Sequence, residues 1–574
     1  MRLSARCQTD AVVTATTAGA QGPVQGARDD PMKALARHRR QVRVRTIASR
    51  AILALAVITL ISASRTHLWQ PFAVLGQVAW NARPHVARPS LVLAAVVMLG
   101  TSRGLRRGHS IAWAGTLGVL AVSAVLHLVH RIDVVPTVLV LGAAGWLALQ
   151  RRSFPVRATR REMWRVALVA AVWLLLTGAA EVLFRLALRT EPEHRSALRD
   201  AAADLDLALV VVFVVALVWF VTSPQRPGRR HVAAHLAERE RARRVVERWG
   251  RGTLDYFALR DDKDWFFVGE SVVAHAVRGG VCLVSPDPIG PPEEQADAWA
   301  EFLDYAVDCG WSVAVLGASA DWLPVYEASG LRSVYLGDEA IVDCPGFTLE
   351  GHARKSLRQA VNRVAKAGYT TTFVRATEVD PRLRAQVEEV AGQSRRGEAE
   401  RGFSMTLSRL FDAHDDGLML SVTTSPEGRV DAFCQWAPAP GIDGWSLDVM
   451  RRRLDVDDLP NGLIDFTVVR TIQEVVARGQ RGVGLNFAVM RDVLGRRTDS
   501  RWEDLVRPML QRLSQQTQMS SLASFNEKFG PSWQPRYVVL DAAEFVGTQA
   551  LVMAGAEGVT EIPVIGRFLG RTGA

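Results

Sequence analysis

Up to about residue 223 the chain is a succession of long apolar runs separated by arginine clusters; beyond it, short apolar runs alternate with amphipathic stretches. A bilayer-spanning helix needs about 20 apolar residues. The pattern predicts spans near 46–64, 86–102, 110–129, 134–150, 164–187 and 205–223, the second of them short. The first begins too late for a signal peptide. After residue 252 no run is long enough to span. Period-two patterning there predicts strands at 266–268, 272–277, 281–284, 312–316 and 335–342, with helices at 296–309 and 321–328. A second, similar round follows: strands at 370–375, 418–423, 430–436, 444–450 and 482–487, and helices at 381–392 and 462–478.

These elements divide the chain into a disordered basic N-terminus (1–45), a transmembrane α-helical bundle of about six helices (46–223) and an Arg-rich juxtamembrane linker (224–251). A first α/β domain (252–350), a joining basic helix (351–368), a second α/β domain (369–545) and a C-terminal tail (546–574) complete it. The linker reads as a helix lying on anionic headgroups or as a solvated connector.

Charge changes the picture in one respect. Residues 1–223 carry 27 Lys/Arg against 11 Asp/Glu, whereas the remainder carries 42 against 48. The basic balance therefore belongs to the apolar half, where it reads as cytoplasmic loop charge, and it does not identify a nucleic-acid-binding domain. Arginines 37, 39, 40, 43 and 45 precede the first expected span, and further clusters follow the second, fourth and sixth. By the positive-inside rule both ends, and the α/β half, face the cytoplasm. The five cysteines form no C-x-x-C pair and read as reduced, buried residues; no metal and no cofactor is expected.

In the joining helix, Leu357, Val361 and Val364 share one face, and Arg354, Lys355, Arg358, Arg363 and Lys366, with Asn362 among them, take much of the rest. Such a face can hold phosphate or stay solvated. Asp448 and Arg451 stand three apart at the end of an expected strand, where an ion pair closing the strand is the plain alternative to a chemical role. Asn461 reads as an N-cap and Asp465 as a first-turn acid in the same cleft as Asp448. Lys528, Trp533 and Arg536 could bind phosphate or stack on a base; Trp533 could equally be core. Arg481-Gly-Val-Gly484 only faintly suggests a pyrophosphate loop, and there is neither a P-loop nor a G-x-G-x-x-G.

Five motifs occur in a fixed order: VSPDPIG (284–290), DEAIVDCPGFTLEGHARKSLRQAVNRVAKAGY (338–369), SLDVMRR (446–452), PNGLIDF (460–466) and FNEKFGPSWQPRY (525–537). In these, over roughly 250–540, the chain resembles the synthase domain of the phosphatidylglycerol lysyltransferase (aminoacyl-phosphatidylglycerol synthase) family. The resemblance implies two tandem GNAT-like acyltransferase domains in a multi-pass bacterial plasma-membrane protein. It implies transfer of an aminoacyl group, usually lysyl, from aminoacyl-tRNA to phosphatidylglycerol at the cytoplasmic leaflet, and resistance to cationic peptides through the cationic lipid. Membrane lipids are the other expected partners, and homo-oligomerisation is left open.

On this resemblance Asp448 orients or deprotonates the hydroxyl or holds the substrate ammonium, and Arg451 binds a phosphate or the tRNA 3′ end. Glu339 and Asp338 contact the lysyl amine. Two departures stand out. Ser285-Pro286-Asp287-Pro288 replaces a commoner Gly-Asp-Pro, and no synthetase domain follows before Ala574, so charged tRNA would come from elsewhere. A different lipid or peptide acceptor, or a transport protein with a regulatory α/β half, are the competing expectations.

Overall fold

The computed structural model describes residues 30–64, 98–129, 134–157, 160–190, 232–395, 402–489 and 519–557 (543 and 545 excepted), and isolated positions between 209 and 216. The described helices are α1 (Pro31–Ser64), α2 (Ser110–Val129), α3 (Val134–Leu149), α4 (Arg160–Thr190), α5 (Val232–Trp249), α6 (Gln295–Asp308) and α7 (Leu323–Ala328), then α8 (Lys355–Lys366), α9 (Pro381–Arg395), α10 (Leu463–Ala477), α11 (Met519–Glu527) and α12 (Val546–Ala556). The strands are β1 (Asp264–Val268), β2 (Ser271–Arg278), β3 (Val281–Val284), β4 (Ser312–Ser319), β5 (Arg332–Asp343) and β6 (Thr370–Arg375), then β7 (Met419–Thr424), β8 (Val430–Ala439), β9 (Gly444–Arg452), β10 (Gly482–Val489) and β11 (Ser532–Leu540).

All eleven strands join one sheet in the order β1-β2-β3-β4-β11-β5-β10-β9-β8-β7-β6. Each half runs an antiparallel meander into a parallel crossover, β3–α6–β4 in one and β9–α10–β10 in the other. The last strand of each half then crosses to the other: β11 lies between β4 and β5, and β5 between β11 and β10. Neither half can close its sheet without the other, so the 252–350 and 369–545 segments share one sheet.

Alternation assigns the side chains to two layers. One face of the sheet packs on α5, the 3-10 turn Asp255–Leu259, α9, Phe403, Leu407 and α12. The other packs on α6 and α7 in the first half, and on α8, α10 and Phe529 in the second. In α8, Leu357, Val361 and Val364 point inward as their spacing predicts. Gly368 follows the helix at φ +81°, the left-handed conformation that ends it.

Two boundaries, and the packing of the linker helix, differ from the expectation. Residues 31–45 are not disordered but form the first turns of α1, because Asp30 Oδ1 accepts from Met32 N–H at 3.1 Å and Pro31 is pre-set for the first helical position. Leu35 then buries against Trp299 and Phe302 of α6. The 224–251 linker contains α5, whose Arg239 and Arg243 point into the domain: Arg243 Nη2 lies 2.8 Å from Asp415, and Arg239 bonds Asp261 and Asp412 at 2.8 and 3.0 Å. The expected tail contains α12, with Ala550, Met553 and Ala556 in the core.

The expected spans at 110–129, 134–150 and 164–187 coincide with α2, α3 and α4, and 46–64 with the later part of α1. Those at 86–102 and 205–223 lie largely outside the described residues. Among the described residues one stretch, Ala167–Phe184 of α4, is long and apolar enough to cross a membrane. Some of the arginines expected as loop charge are instead buried. Arg45 Nε donates to Ser153 O at 2.6 Å, and Arg106 and Arg107 reach Glu544 at 3.6 and 3.4 Å, tying the N-terminal helices to the segment after β11.

Candidate functional site

β4 and β5 each carry a one-residue bulge against β11. The register of β11 skips Gly317 of β4 and Leu336 of β5 beside Arg536 and Tyr537. Bulges bend strands and re-aim side chains. Gly317 sits at φ +75°, and a Cβ there would come within 3.1 Å of Leu254. A cleft of about 500 Å³ opens at this place, lined by segments 249–255, 286–292, 319–322, 441–442 and 534–536.

Arg536 lies at its base. Nε donates to Glu339 Oε2 at 2.9 Å, and Nη2 donates to the same oxygen and to Thr253 Oγ1 at 2.8 Å. Glu339 is fully buried, and its Oε1 has no hydrogen-bond partner among the described residues. Burial works against the Arg536 charge, but Glu339, Asp287 and Asp255 outweigh it and hold its pKa above the ordinary value. Three carboxyl groups line the cleft, those of Asp255, Asp287 and Asp321. Asp287 accepts from Tyr326 O–H at 2.6 Å and from Ser319 N–H at 2.9 Å; Asp255 accepts from the N–H groups of Arg251 and Gly252 at 2.8 and 2.7 Å. Burial raises the pKa of both against those hydrogen bonds. The cleft thus presents three carboxyl groups, the compensated guanidinium of Arg536 and the exposed Arg251 in a partly dehydrated space. That suits a cationic amine, and acids with raised pKa values can relay a proton.

Sequence reasoning missed Asp255 altogether and treated Asp287 only as part of a loop that departs from a pattern. The available signal was the position of Asp287 between two prolines, directly after a fully buried strand.

The residues expected at the site fall on the two faces of the sheet. Glu339, Arg536 and Asp448 are on the cleft's face. Asp448 Oδ1 accepts from Leu407 N–H at 2.9 Å and Oδ2 from Gln435 Nε2–H at 2.6 Å, so the carboxylate anchors the 402–411 segment. Arg451, half-buried, donates to Met450 O at 2.9 Å. Asp338 is buried on β5 beside Glu339.

The opposite layer gathers the others. Asp465 is not in one cleft with Asp448: it projects from the first turn of α10 to Lys528 Nζ at 2.8 Å. Arg354 donates to Lys528 O at 2.6 Å and stacks on Phe347; Arg358 donates to Leu349 O at 2.6 Å, and Arg363 to Asn461 O at 3.1 Å. The N-cap of α10 is Gly462 at φ +97°, not Asn461, because the chain must pass close to Ala360 there. Lys355, Asn362 and Lys366 are exposed. Trp533 packs half-buried on the core beside Ala340 and Phe529. The four described cysteines are buried and form no disulfide among the described residues.

A family model described as phosphatidylglycerol lysyltransferase, C-terminal, matches residues 243–540, just over half of the chain. The chain is 34% identical over 359 residues to the lysylphosphatidylglycerol biosynthesis bifunctional protein LysX of Rhodococcus opacus, covering 62% of this chain and 32% of that protein. It is 32% identical over 479 residues to the protein of the same name from Mycobacterium sp. strain JLS, covering 75% of this chain and 42% of that protein. The match to the first of these relatives thus spans about a third of its length. The solved structure of L-PGS from Bacillus licheniformis aligns with 56% of this chain and 96% of its own, at 23% identity and a TM-score of 0.48.

Proposed function

The chain belongs to the phosphatidylglycerol lysyltransferase family, and from that premise we propose that it transfers an aminoacyl group, lysyl, from charged tRNA to the glycerol hydroxyl of phosphatidylglycerol. One observation carries the reading. Residues from three of the sequence motifs converge: Asp287 and Arg536 line a single cleft, and Glu339, 197 positions from Arg536, holds that guanidinium from the buried side.

The reaction exchanges one ester for another. The glycerol oxygen bonds to the aminoacyl carbonyl carbon, the carbon–oxygen bond to the terminal ribose breaks, and the hydroxyl proton ends on the ribose oxygen. Nothing is oxidised or reduced. The cleft receives the aminoacyl end: Asp255, Asp287 and Asp321 suit its ammonium groups, and Arg536, fixed by Glu339 and Thr253, supplies fixed positive charge near the developing oxyanion. Asp448 acts by holding the 402–411 segment on the same face. Each half of the sheet, with its meander and crossover, is read as one acyltransferase-like unit.

The basic layer of Arg354, Lys355, Arg358, Arg363, Lys366 and Lys528, with Asn362 and Asn461, is the surface offered to phosphates of the donor or of the bilayer. In α4, Trp164, Leu168, Leu174, Leu175 and Leu183 are more than 60% exposed, which suits lipid contact. On this reading α4 crosses the bilayer, the α/β domain faces the cytoplasm, and the product lowers the negative charge of the membrane.

The test is lipid analysis of cells that make phosphatidylglycerol and express either the wild-type chain or Glu339→Gln. A new ninhydrin-positive phosphatidylglycerol, lost in the variant, supports the proposal and names the amino acid. Aminoacylation of a different lipid moves the acceptor. No aminoacylated lipid from membrane-inserted protein refutes the reading.

A further inference from the structure

Lys263, in the turn between the 3-10 segment 255–259 and β1, is fully buried. It forms no ion pair among the described residues. Its Nζ instead donates to two backbone carbonyls, Phe257 O at 3.0 Å and Ser285 O at 2.7 Å, and lies 4.5 Å from the ring centre of Phe403. Burying a lysine on neutral partners is costly, and lysine is among the residues least often fully buried. A hydrocarbon side chain would fill the same space without that cost.

The two carbonyls show what the cost obtains. Phe257 is two residues from Asp255, and Ser285 is two residues from Asp287; these acids stand on different walls of the cleft. We propose that Lys263 is a positioning residue for the transfer: its single amino group clamps the Asp255 wall to the Asp287 wall and sets how the two buried acids face the aminoacyl group. The inference rests on the transfer reading of this cleft.

The clamp is part of a larger buried node. Arg260 donates to Gly402 O and Thr406 O at 2.8 and 3.0 Å, and Glu557 at the end of α12 accepts from Ser404 N–H and Oγ–H at 3.1 and 2.7 Å. The next residue along, Leu407, holds Asp448. One node therefore ties both walls to the segment that fixes the Asp448 carboxylate. The charged groups facing Lys263 are Asp262, Arg260 and Glu557. Burial lowers its pKa to about 7 against the pull of Asp262 and Glu557, with Arg260 lowering it further. Below that value the clamp is an ammonium with charge-assisted bonds; above it, an amine that donates more weakly.

The test compares the full chain in detergent, wild type against Lys263→Met and Lys263→Gln, with lysyl-tRNA and phosphatidylglycerol micelles. Lys263→Met should raise KM for the donor about tenfold or more and lower kcat less, through lost orientation. The KM ratio of variant to wild type should shrink as pH rises through the lysine's titration. Glutamine, which can donate to both carbonyls without titrating, should restore part of the loss, its smaller KM ratio to wild type also shrinking as the wild-type lysine titrates, and it carries the test if the methionine variant does not fold.

Hydrogen exchange on the same preparations reads the walls without turnover. Segments 253–259 and 283–290 should exchange faster together in Lys263→Met while β8 is unchanged. Absence of transfer by the wild type would sink the functional reading, and the two segments' exchange would still decide the clamp. Unchanged exchange, or kinetic constants within about twofold of wild type at every pH, would overturn it.

Discussion

Arg536 Nε lies 2.9 Å from Glu339 Oε2, and both side chains are buried. The pair crosses from β11 to β5, the two strands that the halves of the sheet exchange. Removing one member leaves the other charged and dehydrated, which costs about 3–5 kcal/mol. Arg536→Met should therefore lower the denaturation midpoint sharply. The double variant Glu339→Met, Arg536→Met should regain much of that stability and still transfer nothing. Denaturation with a parallel transfer assay checks both; a single variant as stable as wild type would show that the pair does not hold the exchanged strands.

Asp448 separates structure from chemistry less cleanly. Its carboxylate satisfies the buried Leu407 N–H and Gln435 Nε2–H. Alanine would orphan the Leu407 N–H, at about 1–3 kcal/mol, and leave Gln435 Nε2 with Arg409 O alone. Asparagine keeps the acceptor for Leu407, and Gln435 Nε2 keeps its bond to Arg409 O at 3.0 Å, so one hydrogen bond is lost, a net cost of about 1 kcal/mol. Asp448→Asn should thus melt within about 1 kcal/mol of wild type, whereas Asp448→Ala should melt well below it. If Asp448→Asn folds fully and transfers nothing, the carboxylate takes part in the chemistry; retained transfer assigns it to holding the 402–411 segment.

The meander strands and crossover helices were legible because their apolar positions alternate or recur at helical spacing and their ends carry turn residues. β11 was not, for a physical reason. Pro535 cannot donate to a ladder, and a proline in a run argues against a central strand. Here it pairs with Asp338 next to the bulges at Gly317 and Leu336, where the ladder is already interrupted. That missed strand brings Arg536 to Glu339. The two residues were legible as candidates, but their contact was not, because no local pattern reports that two halves swap strands. In α5 the arginines read as surface charge because sequence does not show that Asp412 and Asp415 fold back to meet them. Asp448 and Asp465 looked alike in sequence, and only the layer of each side chain separates them.

Lys355 and Lys366 are exposed on α8, whereas Arg354, Arg358 and Arg363 already bond backbone carbonyls. Reversing the two lysines, Lys355→Glu with Lys366→Glu, should change stability by no more than about 1 kcal/mol, as surface sites do. If this face meets phosphates, donor or vesicle binding should weaken at low salt, and the gap should narrow as salt rises. Binding measured across a salt series decides it; an unchanged affinity at low salt removes this layer from substrate recognition.

Lys263 also predicts how stability varies with pH, and the sign follows from proton counting. Its pKa is about 7 in the fold and 10.5 for an ordinary lysine. Between those values the unfolded chain binds a proton that the folded chain has released, so stability rises with pH, by up to about 1.4 kcal/mol per unit. Below the folded value both states are protonated and this contribution is constant at its minimum. The raised carboxyl groups Asp255 and Asp287 act in the opposite sense, since a folded acid that keeps its proton loses stability as pH rises through its titration. The informative quantity is therefore the difference between wild type and Lys263→Met, which share those acids. From about pH 7 to 9 the wild-type midpoint should gain on the variant's at nearly the full single-proton slope. Parallel curves would mean that Lys263 stays charged in the fold, held by Glu557 and Asp262 more strongly than burial opposes it.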